Sequence, residues 1–241
     1  MPNAYKVMSK KVAIIQSNYI PWKGYFDIIK KVDAFVLLDD VQYTRRDWRN
    51  RNLIKSPQGL KWLTIPVDVK GQFEIKINEV MVADEQWPKD HWNRIKQAYS
   101  KAPCFKEFGQ LIEEAYLQLN EKSLSKINYC FIKLINSILE IDTPVFWSHD
   151  FVVSDEKSTR LLDICQQLKA DCYVSGPAAK DYLNEEMFKV KGIEVEWMSY
   201  NGYQPYRQLH GEFAHGVSVL DLIFNEGKDA KKYLLTFNSE K

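Results

Sequence analysis

The chain has 241 residues, of which 45% are hydrophobic and 27% charged, and its 33 basic and 32 acidic side chains leave a formal net charge of +1. That balance excludes a disordered or fibrous chain and gives no global pull toward nucleic acid or an anionic membrane. The length suits one substantial α/β domain, with or without an inserted part. Cys104, Cys130, Cys165 and Cys172 form no C-x-x-C pair and have no histidine at finger spacing, which argues against structural zinc and a disulfide framework. Met1 to Lys11 has no apolar signal core and no segment is long enough to span a bilayer, so a cytoplasmic protein without membrane insertion is expected.

Val12–Gln16 reads as a buried strand, Phe26–Val32 as an amphipathic helix and Phe35–Asp40 as a second strand. Two strands around one helix predict a βαβ unit with a right-handed crossover. Residues 41–52 are polar, basic and aromatic, with neither helical nor strand period, and Ser56–Gly59 is a turn signal. Trp62–Val67 is predicted as a strand, with Pro66 near an edge or bend, and Lys76–Val82 as a short strand. From Pro88 to Leu139 three helical stripes follow one another, the last starting near Ser123. Pro144–Trp147 reopens a strand, and Leu161–Leu168 is an amphipathic helix. Asp171–Pro177 is a strand ending in a Ser-Gly-Pro turn, and a helical stretch, Ala178–Leu183, follows it. Ile193–Ser199 alternates as a strand, and Ser218–Phe224 is a helix stopped by Gly227. The predicted fold is α/β and Rossmann-like (HUP-like), with a mostly parallel sheet. Residues 1–86 and 143–241 form its core, 87–142 a helical insertion, and the whole a single compact unit.

Ligands of open α/β sheets bind at the carboxyl ends of strands, which places a site at the loop from Gln16 to Tyr25 and at Asp39 to Arg51. Gln16, Tyr19, Trp22, Gly24, Tyr25, Tyr43 and Trp48 are candidate lining residues there. Arg45, Arg49 and Arg51, interleaved with Asn50, suit a diphosphate because guanidinium forks grip phosphate oxygens in pairs. A solvated basic loop or a nucleic-acid contact are the other readings of this cluster. Asp39 and Asp40 are candidates to hold Mg²⁺ on such a diphosphate, or else cap the turn after the strand. Tyr203, in the tyrosine-rich stretch from Tyr200 to Tyr206, is placed to stack on a sugar or base, unless the stretch is a plain surface loop. Ser175 and Gly176, before the helical stretch that carries Lys180, make a candidate anion site at a helix start. His210 is the candidate general base because Glu212 stands close by to orient it. His91, at a helix start, reads equally as a surface residue.

Val12 to Ile29 resembles the start of the nucleotidylyltransferase and pantothenate-synthetase superfamily, where a strand leads through a Pro-containing loop and a H-x-G-H tetrad into a helix. The aligned residues are Trp22-Lys-Gly-Tyr25, with aromatics in both histidine positions. A second resemblance, to the WbqC-like family of bacterial polysaccharide-locus proteins, spans residues 12 to 227. Gln16–Phe26, Asp39–Tyr43, Trp48–Asn52, Trp62–Val67, Tyr173–Ala178, Gln208–Phe213 and Ser218–Asp221 carry it. It implies work in O-antigen or related glycan biosynthesis: transfer of an amino acid, glycine foremost, or another acyl group onto the amine of a nucleotide-linked amino sugar. The superfamily resemblance implies activation by ATP as an acyl adenylate and a phosphate-binding place at Lys180; Asp40, Lys180 and His210 are the catalytic candidates, and ATP and Mg²⁺ the candidate cofactors. The partners implied are a nucleotide-sugar and an acyl or amino-acid donor, charged tRNA among the options, with a homo-oligomer left open. Two alternatives stay open: a non-catalytic nucleotide-sugar binding or scaffold protein, favoured by the missing histidines, and a nucleotidylyltransferase.

Overall fold

The computed structural model describes residues 9–238, so residues 1–8 of the amino-terminal segment read above lie outside the described part. In chain order the elements begin with β1 (Lys11–Ile15), α1 (Lys23–Lys31), β2 (Ala34–Leu37), β3 (Arg51–Ser56) and β4 (Gly59–Thr64). Three helices follow, α2 (Trp87–Tyr99), α3 (Phe105–Leu117) and α4 (Leu124–Ile138), and then β5 (Val145–Trp147) and α5 (Lys157–Gln167). The chain closes with β6 (Cys172–Ser175), α6 (Glu185–Val190), β7 (Glu194–Trp197), α7 (Val219–Glu226) and α8 (Leu235–Asn238). Among the described residues no helix is long and apolar enough to cross a membrane.

The chain divides into two compact units. The first, residues 9–15, 28–38 and 143–199, holds a five-stranded sheet in the order β5-β2-β1-β6-β7, with every neighbouring pair parallel. This is the Rossmann-like α/β architecture expected, with β1 central and paired directly to β6 through Val12 and Tyr173. Val12, Ile14, Val36, Tyr173, Phe188 and Ile193 form its buried core. Strands covered on both faces show up in sequence as continuous apolar runs, which is why these were readable. The Glu156 carboxylate caps α5 by accepting from the main-chain N–H groups of Ser158 and Thr159.

The second unit comprises residues 16–27, 39–142 and 200–238, and holds α2, α3 and α4 with an antiparallel hairpin of β3 and β4. The hairpin confirms the turn at residues 56–59, but its first strand, which starts within the segment that has no apolar period, was not expected. Lys55, Asn52 and Ser56 are buried there, so polar groups occupy inward positions. Residues 76–82 are not the short strand expected. The Glu79 carboxylate accepts from the Lys76 main-chain N–H at 3.0 Å and folds Ile77–Glu79 into a 3-10 turn. Likewise the stretch after Gly176 is a five-residue 3-10 turn, Pro177–Asp181, rather than an α-helix. A turn this short sums too few peptide dipoles to act as the anion site expected of a helix start. Gly227 stops α7 as expected, at φ 57°, where a Cβ would approach Cys104 Sγ to 2.8 Å.

Phe188 is fully buried and stacks on Tyr173 with ring centroids 5.2 Å apart. Phe188→Ala should therefore destabilise the protein by about 3–5 kcal/mol, measured by urea unfolding. A loss under about 1 kcal/mol would show that the packing here relaxes far more than a close-packed core allows.

Candidate functional site

The segment after β1 enters the second unit as a loop pinned by a buried tyrosine. Tyr19 is fully buried, with its ring packed edge-on against Trp87 and Phe131 at 5.9 and 5.7 Å. Its hydroxyl lies 2.5 Å from the Tyr116 hydroxyl and 2.8 Å from His91 Nδ1. His91 is thus a core residue and not a surface one: its other ring nitrogen meets the Thr64 carbonyl, and burial pushes its pKa down to about 4. Next in the chain, Ile20 has φ 36°, a left-handed conformation that a β-branched residue rarely adopts. The Asn52 amide holds it there by donating to the Tyr19 and Ile20 carbonyls at 3.1 and 3.0 Å.

This kink delivers Asn18, Pro21 and Trp22 to a cavity of about 290 Å³ that Trp48, Asn52, His215 and Gly216 also line. The Trp22 indole folds back over the start of α1, and a Cβ on Gly24 would meet it at 2.3 Å. Gly24 therefore makes room for the indole. Tyr200 and Tyr203 support Trp22 with edge contacts at 5.1 and 5.7 Å. Across the hairpin, Trp48 and Trp62 touch at 5.5 Å, and the Arg51 guanidinium covers Trp62 at 4.2 Å. Both indoles are well exposed, at 42% and 40%.

Lys23, beside Trp22, is only 3% exposed. Its ammonium faces the rings of Tyr203, Tyr206 and Phe213 at 4.8, 5.2 and 5.9 Å and donates to the Gln204 carbonyl at 3.3 Å. Burial pushes its pKa down to about 8, against the opposing pull of Asp27. Phe213 in turn packs on His215 at 4.5 Å. Desolvation and the charge of Lys23 lower the pKa of the exposed His215, which favours its neutral form.

Among the predicted site residues, Trp22 and Trp48 line this cavity. Arg49 does not present a free guanidinium: it donates to Gln16 Oε1 at 2.5 Å and to Asn18 Oδ1, and pairs with Asp47 at 3.5 Å. Gln16 and Arg49 thus brace the loop that carries Asn18. Asn50 donates to the Ile65 carbonyl, Tyr43 is buried, and Arg45 lies over Phe73 and donates to the Val69 carbonyl. Tyr25 is buried and donates to the Gln16 carbonyl at 3.1 Å. Tyr203 donates to Asp27 at 2.6 Å and belongs to the lysine cage. Ser175, Gly176 and Lys180 belong to the first unit, where the Lys180 ammonium lies 5.4 Å from the Trp197 ring centroid.

Asp39 is no metal ligand. It is fully buried, accepting from the Ser17 N–H at 2.8 Å and from the Ser125 hydroxyl. Burial raises its pKa, and those donors and Arg49 oppose the rise. Asp40 beside it is half-buried, and no group of three or more metal-binding side chains occurs among the described residues. Of the Asp39–Asp40 pair expected to hold Mg²⁺, one carboxylate is thus already engaged by Ser17 and Ser125.

His210 is not a cavity residue. Its Nε2 meets the Ala98 carbonyl at 2.8 Å, and the histidine at the cavity is His215, five positions on. Asn18, Pro21, Lys23, Asn52, His215 and Gly216 were not among the residues singled out. The signal for His215 was present, because Leu209–Gly216 contains His-Gly twice.

These features define an α/β protein with an aromatic-walled cavity carrying two amides and an imidazole. The chain belongs to the WbqC-like protein family, whose family model matches residues 16–233 and so includes every residue lining that cavity. It is 48% identical over 225 residues to "Uncharacterized protein Rv1507c" of Mycobacterium tuberculosis, an alignment that covers 93% of this chain and 97% of the relative. No solved structure matches it significantly.

Two predictions arise from these contacts. Gly24→Ala forces the Trp22 ring to move, so stability should fall by about 1–3 kcal/mol and tryptophan fluorescence should shift. Unchanged melting and emission would mean that the ring moves aside freely. The second concerns Lys23, whose ordinary pKa of 10.5 falls to about 8 in the fold. Between those values the unfolded chain binds more protons, so this group makes the unfolding free energy rise with pH. Urea unfolding of the parent and Lys23→Met at pH ~7.5 and ~9.5 should show a gain with pH that the variant lacks. Identical pH dependence in both proteins would place the amine in water rather than in the cage.

Proposed function

We propose that the protein transfers an amino-acid residue, glycyl foremost, or another acyl group onto the amine of a nucleotide-linked amino sugar in surface-glycan biosynthesis. The observation that carries this reading is the cavity walled by the Trp22 and Trp48 indoles, with Asn18, Asn52 and His215 as its polar groups. Flat rings flank a sugar or base, and a few fixed amides orient its hydroxyls or ring nitrogens. In acyl transfer the amine nitrogen bonds to the acyl carbon, the donor's leaving group departs, and the nitrogen gives up a proton. A neutral imidazole at the cavity is suited to accept that proton. The role expected of His210 therefore passes to His215 in this proposal.

Nucleotide-sugar binding without chemistry is the second reading. It is favoured by the two aromatics at the positions of the tetrad's histidines, with Tyr25 buried and held to Gln16. One experiment separates the two. Incubation with nucleotide-linked amino sugars and glycine plus ATP, an acyl thioester or charged tRNA should yield a product heavier by the acyl group. Tight binding with no mass change under all three donors would leave the binding-only reading. Amino-acid-dependent exchange of pyrophosphate into ATP would identify the adenylate route.

On the transfer reading, His215→Gln should lower the transfer rate by roughly 10²–10⁴ while ligand affinity holds. Trp48→Ala should weaken ligand binding by about 1–3 kcal/mol, the value of one stacked ring, as read by calorimetry. Full affinity in Trp48→Ala would remove the indole wall from the site.

A further inference from the structure

The hairpin borders a second cavity, of about 260 Å³, that the proposed chemistry does not use. Ser56, Gln58, Lys61 and Trp62 line it from the hairpin, and Arg94 and Gln97 from α2. Trp48 lines the first cavity and Trp62 the second, and the two rings are in contact at 5.5 Å, so one aromatic pair separates the spaces. Arg51 covers Trp62 at that divide, with its Nε buried and without a hydrogen-bond partner among the described residues. Lys61 and Arg94 are exposed, and among the described residues no carboxylate pairs with either. Two unneutralised cations beside two amides and an indole edge suit a polyvalent anion joined to a ring. Lysine offers a compact charge and arginine a two-pronged donor, a combination that fits phosphate oxygens.

We propose that this second cavity is an anion subsite, which takes the phosphates of a nucleotide-type ligand whose other ring portion lies in the first cavity. The proposal deepens the nucleotide-sugar reading above and rests on it for the identity of the whole ligand. It also relocates the diphosphate. Arg49, which sequence favoured for phosphate together with Arg51, is occupied by Gln16, Asn18 and Asp47, whereas Lys61 and Arg94 have no such partners among the described residues.

The test titrates the full chain with inorganic pyrophosphate, a nucleoside diphosphate and the uncharged nucleoside, followed by calorimetry and tryptophan fluorescence at low ionic strength. Lys61→Ala, Arg94→Ala and the double variant are compared with Lys189→Ala, which removes one exposed charge from the other unit. Pyrophosphate should bind the parent and the control alike, and the double variant at least about tenfold more weakly, with unchanged melting. Added salt should weaken the parent's binding, because the pairing groups are exposed. Failure of pyrophosphate to bind the parent, or equal affinity in the double variant, overturns the proposal. So does an equal loss of affinity for the uncharged nucleoside. Pyrophosphate binding requires no acyl donor. Intact, Lys61- and Arg94-dependent binding with no acyl transfer would therefore end the transferase reading and leave the subsite standing.

Discussion

The second unit is organised around one constraint, the burial of Tyr19 against Trp87 and Phe131 immediately before a left-handed Ile20. A β-branched residue in that region costs on the order of 1–3 kcal/mol. Burying an aromatic ring returns a comparable or larger amount, and the two Asn52 bonds add about 1 kcal/mol each. The tyrosine anchor and the amide clamp therefore outweigh the strain. Without the kink, Pro21 and Trp22 would leave the loop in another direction. The aromatic wall of the cavity thus depends on a side chain that never touches it.

A second set of buried polar groups holds the segment from Tyr200 to Gly216. Asp221 accepts from the Tyr99 and Tyr206 hydroxyls at 3.0 and 2.8 Å, and burial raises its pKa against their pull. Lys55 donates to Gln208 Oε1 at 2.6 Å and to the Glu212 carbonyl. Asp27 accepts from Tyr203 and from the N–H groups of Leu235 and Thr236. Bonds to buried charged groups are worth about 1.5–3 kcal/mol apiece, whereas exposed ion pairs are worth about 1 kcal/mol or less. Pairs such as Lys122–Glu85, with side chains 62% and 73% exposed, contribute little beside these networks. His215 and Gly216 come to the cavity because buried polar groups fix the segment before them.

The parallel sheet was legible because Val12, Val36 and Val174 sit in uninterrupted apolar runs, and the three helices because their buried stripes repeat at helical spacing. Strand β3 was hidden for a physical reason. It buries Asn52, Lys55 and Ser56 beside Ile54, and the partners of Asn52 and Lys55 come from residues 19–20 and 208–212, so its buried positions are mostly polar. Lys23 was hidden in the same way. Local pattern reads a lysine at a helix start as solvated, and only rings about 180 positions later enclose it. The site was legible at Trp22 and Trp48, which stand out as large rings in loops. It was not legible where two equivalent His-Gly pairs compete, because tertiary packing alone decides which one faces the cavity.

The division into two units has a consequence for dissecting the gene. The chain leaves one unit for the other at 15/16, 27/28, 38/39, 142/143 and 199/200, so neither unit is a contiguous stretch of sequence. Any single terminal deletion that removes one unit also removes part of the other. The central strand β1 and β6 are separated by more than 150 residues, most of which belong to the second unit. Closing so long a loop before the strands can pair is entropically slow. Ribosomal synthesis reaches Cys172 only after the whole helical block has been made, so β1 must wait for its partner β6 until most of the chain exists.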